Sequence, residues 1–325
     1  MLCINSISND PYFNLATEEF LLKESDEEFF LTYINEPSIV VGKHQNTYAE
    51  INLEFVRSQN IKVARRLTGG GTVFHDHGNL NFSFITNGEE ERMVDFKKHT
   101  QPILDFLEGL SVRAEFGGKN DLLLDGFKVS GNAEHVFRNR VLHHGTLLVN
   151  SDLSRLSEAL KVNPSKYRDK AVRSIRSRVS NISRVLHEKI STVQLAKQLT
   201  DYIIKEKAGS EYFLSAEETT RILSLAEKKF STWEWNFGYS SRYTFSRTIT
   251  GKGKTGTVTM EVEKGIIKAA SVTGDLFDEK CAGAICDALT GIQHRYEKLL
   301  QALKGLPVSG CFGSAGTGSF VKELF

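Results

Sequence analysis

The residues of this chain best suited to chemistry lie in one block, Arg65-Arg66-Leu67-Thr68-Gly69-Gly70-Gly71-Thr72-Val73-Phe74-His75-Asp76. Two arginines, which stay charged at any physiological pH, precede three consecutive glycines. Without a Cβ, such a run lets the main chain turn tightly and approach a ligand closely. Bare N–H groups beside fixed positive charge suit a phosphate or a carboxylate. The same residues also make an ordinary glycine hairpin with two solvated arginines, since glycine clusters are common turn signals, so the block alone leaves both readings open. His75, Asp76 and His77 offer metal-binding side chains. Successive strand residues face opposite ways, so only His75 and His77 share a face, and no catalytic zinc site is expected there.

Elements that would position this block can be read on both sides of it. Ile61 and Val63 lead in and Phe82 and Phe84 lead out with strand periodicity. A helix is expected from Asn14 to Lys23, strands from Phe29 to Ile34 and Ser38 to Val41, and a short helix from Leu53 to Gln59. Downstream, Asp95 to Gly109 reads as a helix and Val112 to Phe116 as a strand. The runs Leu122 to Leu124, Phe127 to Ser130 and Leu142 to Val149 complete a strand-rich region, with a hairpin at Asp125-Gly126. Helices follow at Leu153 to Leu160, Val193 to Lys207 and Ala216 to Phe230, the last opened by a capping box of Ser215 and Glu218. An aromatic junction, Trp233 to Gly238, marks the expected boundary between a domain of residues 1–238 and a smaller one of 239–325. The smaller unit reads as strands Thr255 to Val262 and Ile266 to Val272, then helices Ala282 to Leu289 and Arg295 to Leu303. The glycine-rich tail from Gly313 to Gly318 has no lysine at Walker spacing and reads as a flexible loop.

A chain of 325 residues suggests two domains. The formal net charge of +1 gives no nucleic-acid signature. The basic stretch from Lys166 to Lys189 reads as a solvated face or an anion-contacting lid. Cys3, Cys281, Cys286 and Cys311 lack metal-site spacing and read as reduced structural thiols. With no basic stretch leading into an apolar core at the N-terminus and no run long enough to cross a bilayer, a cytoplasmic protein without membrane association is expected, with a monomer as the default.

Four blocks, in order, carry a resemblance to a known family: Gly42-Lys43-His44-Gln45-Asn46, Arg65 to Asn79, Gly126-Phe127-Lys128-Val129-Ser130-Gly131-Asn132-Ala133, and His143-His144-Gly145-Thr146-Leu147-Leu148. Together they resemble the lipoate–protein ligase A family. Ser174 to Asn181 and the region from Trp235 onward are similar to it too, so the resemblance spans nearly the whole chain. It implies an α+β, biotin-ligase-like fold related to class II synthetases, with a mixed, largely antiparallel sheet, packed helices and a small α/β C-terminal domain. It also implies two steps. Lipoate and MgATP give lipoyl-AMP and pyrophosphate, and the acyl group then passes to a lysine of a lipoyl domain of a 2-oxoacid dehydrogenase E2 subunit or of glycine-cleavage H protein. Such chemistry must hold two anions, a carboxylate and an α-phosphate, close enough to react, which calls for fixed cations and backbone donors.

By the same resemblance, Lys128 is the essential lysine, bridging carboxylate and α-phosphate. Arg66 matches a nucleotide-contacting arginine, and Gly71, Thr72, Val73 and Phe74 match main-chain contacts to the nucleotide. Asn79, Ser130 and Gly131 fall in the matching blocks, with Asp76 and Gly78 shaping the loop. Asn120 and Asp121 match a pair before the lysine strand, with Asp121 as the magnesium or pyrophosphate-side carboxylate. His144 and Gly145 are expected to line the acyl pocket, His144 being a structural histidine in preference to a general base. Thr72 replaces a commoner alanine, and Leu67 stands where many relatives have a small polar residue.

Rival activities meet specific residues. The Gly-Arg-Gly-Arg-type loop of biotin–protein ligases is absent. Octanoyltransferases and lipoyl amidotransferases use a cysteine nucleophile in the catalytic domain, yet no cysteine lies between Asn5 and Phe237. Two alternatives remain: a lipoyltransferase that uses preformed lipoyl-AMP, and a non-enzymatic lipoate- or adenylate-binding protein. Retention of Lys128, Arg66 and Asp121 together speaks against the second.

Overall fold

The computed structural model describes residues 1–88, 93–118, 120–162, 164–251, 253–306 and 316–325. Cys311 and the glycine-rich tail up to Ala315 lie outside the described residues. The chain forms two compact units, Met1–Lys43, Ile61–Ala159 and Ser174–Thr232 in the first, His44–Asn60, Leu160–Arg173 and Trp233–Phe325 in the second. This division differs from a single cut after residue 238, because the second unit takes in two upstream segments. Tyr48, on one of them, is buried in the second core and its hydroxyl donates to the His294 carbonyl at 2.7 Å. Tyr167, on the other, belongs to a strand of the second unit's sheet. The basic stretch 166–189 is accordingly shared between the two units.

The first unit is built on an eight-stranded sheet. Its strands are β1 (Leu2–Asn5), β2 (Phe29–Tyr33), β6 (Asn79–Asn87), β7 (Glu115–Gly117), β8 (Asp121–Leu124), β9 (Phe127–Phe137), β10 (Arg140–Leu148) and β12 (Ser210–Glu211). They lie in the order β12-β1-β2-β6-β10-β9-β8-β7. The β12–β1 and β1–β2 pairs are parallel and the others antiparallel, giving the mixed, largely antiparallel sheet expected. A small second sheet holds β3 (Ser38–Val41) between β4 (Lys62–Arg65), parallel, and β5 (Val73–His75), antiparallel. It places the glycine block between β4 and β5, so β5 is an edge strand.

Helices of this unit are α1 (Pro11–Glu24), α3 (Phe96–Gly109), α4 (Leu153–Ala159), α5 (Thr192–Glu206) and α6 (Ala216–Leu225); α2 (Leu53–Ser58) belongs to the second unit. Asp10 caps α1 through the Tyr12 amide, and Pro11, whose fixed φ suits a first helical turn, follows it. Ser215 and Glu218 form the expected capping box of α6, which passes into a π-helical turn at Ala226–Phe230. Phe30, Phe82 and Phe84 of the sheet pack with Ile103 and Leu107 of α3 and Leu195, Leu199 and Ile203 of α5. Alternation sends Ser83 the other way, where its hydroxyl meets Glu18 of α1. Covered on both faces, β6 is buried along its whole length except at Asn87.

The second unit contains a four-stranded sheet, β11 (Tyr167–Asp169), β13 (Tyr243–Gly251), β14 (Lys254–Glu263) and β15 (Ile266–Gly274), in the order β11-β13-β14-β15. With it go α7 (Glu279–Leu289), α8 (Tyr296–Ala302) and α9 (Thr317–Lys322). Its core joins Phe245, Val258, Met260 and Ile267 to Ile285, Leu289, Leu299 and Phe320. Lys264 and Gly265, at φ 50° and 73°, make the turn read between β14 and β15. Cys3 and Cys281 are buried and Cys286 is half-buried. No helix among the described residues is long and apolar enough to cross a membrane.

Candidate active site

Lys128 stands just after the β8–β9 hairpin, whose Asp125 and Gly126 both take positive φ, 51° and 77°, the backbone of a two-residue turn matched to strand twist. Leu122 pairs with Ser130 but Leu123 with Lys128, so Val129 is an extra residue, a β-bulge. Such a bulge re-aims neighbouring side chains. The Lys128 ammonium lies 2.8 Å from Asp121 Oδ1, both side chains about a quarter exposed. A Cβ on Gly131 would fall 2.8 Å from both Cε and Nζ of Lys128. The missing side chain at 131 is therefore the space the ammonium occupies. Gly131→Ala should push the ammonium off Asp121 and lower adenylate formation by roughly 10- to 100-fold, on the scale of misplaced reacting groups. Its melting temperature should stay near wild type, because a flexible lysine end can move aside; a parallel loss of rate and stability would refute the positioning role.

Asn120 and Asn132 brace this strand pair from behind. The Asn132 amide N–H donates to the Asn120 carbonyl at 2.9 Å, and Asn132 Nδ2 donates to the same carbonyl at 3.0 Å and to Ser130 Oγ at 3.2 Å. Gly131 N–H reaches Thr146 Oγ1 at 3.3 Å. On the outer side, Lys128 N–H donates to Arg178 O at 2.8 Å, and Ser180 N–H to Lys128 O at 3.0 Å.

Around the glycine block, Arg66 is buried and turned inward. Its Nε donates to Thr68 Oγ1 at 2.9 Å, Nη1 to Val40 O at 3.1 Å, and Nη2 to Gly69 O and Gly71 O at 2.6 and 2.7 Å. Burial pushes its pKa down to about 10, with Glu18 opposing, and it remains a cation at neutral pH. By fixing the carbonyls of Gly69 and Gly71, it turns the following N–H groups of Gly70 and Thr72 the other way. Gly70 adopts φ 87°, which favours glycine. The Thr72 N–H is met by Ser174 Oγ at 2.9 Å. Residues 174–180 therefore touch both the glycine loop, at Ser174, and the lysine strand, at Val179. Five residues of extended chain span at most about 17 Å, which bounds the separation of the two contacts.

The block also anchors a buried chain of hydrogen bonds. Thr68 Oγ1 lies 2.7 Å from His144 Nε2, and His144 Nδ1 lies 3.0 and 3.1 Å from the two oxygens of Glu18. Tyr33 and Ser83 hydroxyls donate to the same carboxylate. Burial works against charge on Glu18, yet the contacts from His144, Ser83 and Tyr33 win and hold its pKa below the ordinary value. One proton arrangement satisfies every member: Arg66 Nε–H to Thr68, Thr68 O–H to His144 Nε2, His144 Nδ1–H to Glu18. Both imidazole nitrogens are then used within the protein, and His144 ties the glycine loop to Glu18 of α1. Glu18 was not among the residues singled out in the sequence; the one hint is a carboxylate in a helix whose neighbours Leu15, Leu21 and Leu22 are apolar.

Other expected residues occupy supporting places. Val73 and Phe74 pair with β3 at Val40 and Ile39, and as an edge strand they present their other main-chain side outward. Asn79 is buried, with Nδ2 on Asn81 and Oδ1 unpartnered. Asp76 accepts from the Gly78 and Asp152 amides and shapes the loop. A Cβ on Gly145 would collide with Asn132 and Phe82. His75 is buried against Asn35 while His77 is exposed, and among the described residues neither belongs to a metal-binding cluster.

Comparison with known proteins gives the lineage. Residues 10–204 match a model of the lipoyl protein ligase A/B catalytic domain, and residues 241–324 one of the bacterial lipoate protein ligase C-terminus. The chain is 40% identical over 322 residues to lipoate–protein ligase 1 of Staphylococcus aureus, covering 98% of each. Among solved structures it resembles a lipoate–protein ligase A bound with ATP (26% identity, TM-score 0.61, 73% of this chain and 98% of the other). A similar likeness holds for the Thermoplasma acidophilum bi-partite lipoate protein ligase, studied with its E2 lipoyl domain (25%, TM-score 0.60, 73% and 96%).

Proposed function

This chain belongs to the lipoate–protein ligase family, and from that premise we propose that it activates lipoate with ATP and transfers the lipoyl group to a protein lysine. The observation that carries the reading is the Lys128 ammonium, set by a bulge into the space left by Gly131 and held by Asp121. There it stabilises negative charge as the lipoate carboxylate attacks the α-phosphate and pyrophosphate leaves. Preorganised charge of this kind costs no rearrangement at the moment of reaction. Arg66 acts by keeping the loop's carbonyls inward, which leaves amide N–H groups of Gly70 and Thr72 for phosphate oxygens once Ser174 yields its place. The outward edge of Val73 and Phe74 receives the rest of the nucleotide.

Magnesium takes few carboxylates together with phosphate oxygens. Asp121, part-exposed with one oxygen on Lys128, fits as its single carboxylate, and the ion would screen the polyphosphate charge. Gly145, against Phe82, lines the acyl side. Acceptors are the lysines of lipoyl domains of 2-oxoacid dehydrogenase E2 subunits and of glycine-cleavage H protein. A free lysine has a pKa of about 10.4, so the acceptor amine must lose a proton before it attacks the lipoyl carbonyl.

The test is lipoate-dependent pyrophosphate release from MgATP with no acceptor protein present, followed by addition of a lipoyl domain. Release, then lysine modification, is expected. Lack of release together with transfer from supplied lipoyl-AMP would replace this reading with a transferase that depends on another enzyme for activation.

A further inference from the structure

Outside the site above, α3, β9 and β10 bring together two histidines and a carboxylate in the first unit's interior. His99, His143 and Glu134 side chains are 6%, 0% and 2% exposed. His143 Nδ1 lies 2.8 Å and His99 Nδ1 3.3 Å from the same oxygen, Glu134 Oε1. Among the described residues this is the one group of three or more such side chains whose ligand atoms all lie within 4.8 Å of one another. Two ligands bound to one zinc-sized ion at ordinary bond lengths, with angles between right and tetrahedral, stand about 2.9–3.4 Å apart, a range that takes in the His99–Glu134 separation and begins just above the His143–Glu134 one. Glu134 Oε2 is buried with no hydrogen-bond partner.

The hydrogen count is what a proton alone does not satisfy. His143 Nε2 lies 3.3 Å from Asn132 Oδ1, and the Asn132 amide is oriented by its own donations to Asn120 O and Ser130 Oγ. Both nitrogens of His143 thus face acceptors, while a neutral imidazole has one N–H. A metal ion on Nδ1 removes the conflict, leaving the N–H on Nε2 for Asn132. His99 is prepared in the same way: its Nε2 lies 3.2 Å from the Thr86 hydroxyl, and such outer partners fix the ring of a metal-bound histidine. The Asp95 carbonyl also lies 3.1 Å from His99 Nδ1.

We propose that His99, His143 and Glu134 bind one divalent first-row transition ion, which pins α3 to β9 and β10. Two imidazoles and a carboxylate suit zinc or iron(II) rather than magnesium. Through Asn132 the ion would steady Ser130, two residues from Lys128, without touching substrate. The competing occupant is a second proton, making His143 an imidazolium beside Glu134.

The whole chain, stripped with chelator, is titrated with Zn²⁺ alone and with Co²⁺ alone. One tight equivalent, a rise of several degrees in melting temperature and visible cobalt d–d absorption are expected. His99→Gln and Glu134→Gln, each checked for native circular dichroism, should lose all three, and either variant suffices should the other fail to fold. A rise unchanged in a folded variant would put the metal elsewhere and overturn the assignment. So would a lack of tight binding to wild type, or imidazolium ¹⁵N shifts for His143 in zinc-saturated protein.

Discussion

Lys128→Ala should abolish most lipoate-dependent pyrophosphate release, by roughly 10²–10³-fold, the usual cost of removing one preorganised charge-stabilising group. Stability should hardly change. The side chain is a quarter exposed and its partner is Asp121, an ion pair of a type worth about 0–1 kcal/mol. Lys128→Arg should not restore the rate, because a planar, five-donor guanidinium does not substitute for a compact ammonium, least of all where the space is that of one missing Cβ. Release assayed beside a denaturant melt decides the matter. A variant that melts like wild type and still releases pyrophosphate at wild-type rate would remove Lys128 from the chemistry.

Glu18→Ala should be the most destabilising single change near the site, by about 3–5 kcal/mol, the cost of removing one partner from a buried charged network. It strands the donors of His144, Tyr33 and Ser83, and through Thr68 it loosens Arg66 and the glycine loop. Adenylate formation should fall with it, though Glu18 need never touch substrate. The pH dependence has a definite sign. A carboxylate held below its unfolded value contributes stability that is complete above that value, about 4.3 for glutamate, and is lost as pH falls through the folded pKa. Denaturant midpoints of wild type should therefore decline below that pH more steeply than those of Glu18→Gln. Equal slopes would mean the carboxylate does not carry the network.

What could be read in advance, and what could not, divides along physical lines. Asp125-Gly126 announces its own backbone, and both residues adopt the positive φ its chemistry favours. Ser215 with Glu218 likewise names a helix start. These are local signals, decided within a few residues. Strand β9 runs on through Phe137 past the expected end at Ser130, because Glu134 is acceptable inside only with His99 and His143 for company, 35 and 9 residues away. Glu18 is invisible for the same reason: its burial depends on α1 being covered from both sides, with nine successive positions from Asn14 to Leu22 buried. The expected strand at Val112–Phe116 begins instead at Glu115, with Val112 buried in the turn before it. Tyr48 looks like any loop tyrosine until its core, contributed from beyond Trp233, is assembled. Within the site, the family blocks located the lysine strand and the glycine loop, but Arg66's inward bonds to three loop and strand carbonyls follow from tertiary geometry alone.

One detail of the lysine strand reaches past chemistry. Pairing of β10 with β9 ends at Asn132, so the outer edge at Lys128 is completed by residues 178–180 and by no regular strand. An uncovered edge is a template for another chain. Any displacement of residues 178–180 would trade an ordered strap for a sticky margin, and the Lys128 amide, bonded to Arg178, would be the first to exchange its hydrogen with solvent. Catalytic readiness and resistance to aggregation would then rest on the same pair of main-chain bonds.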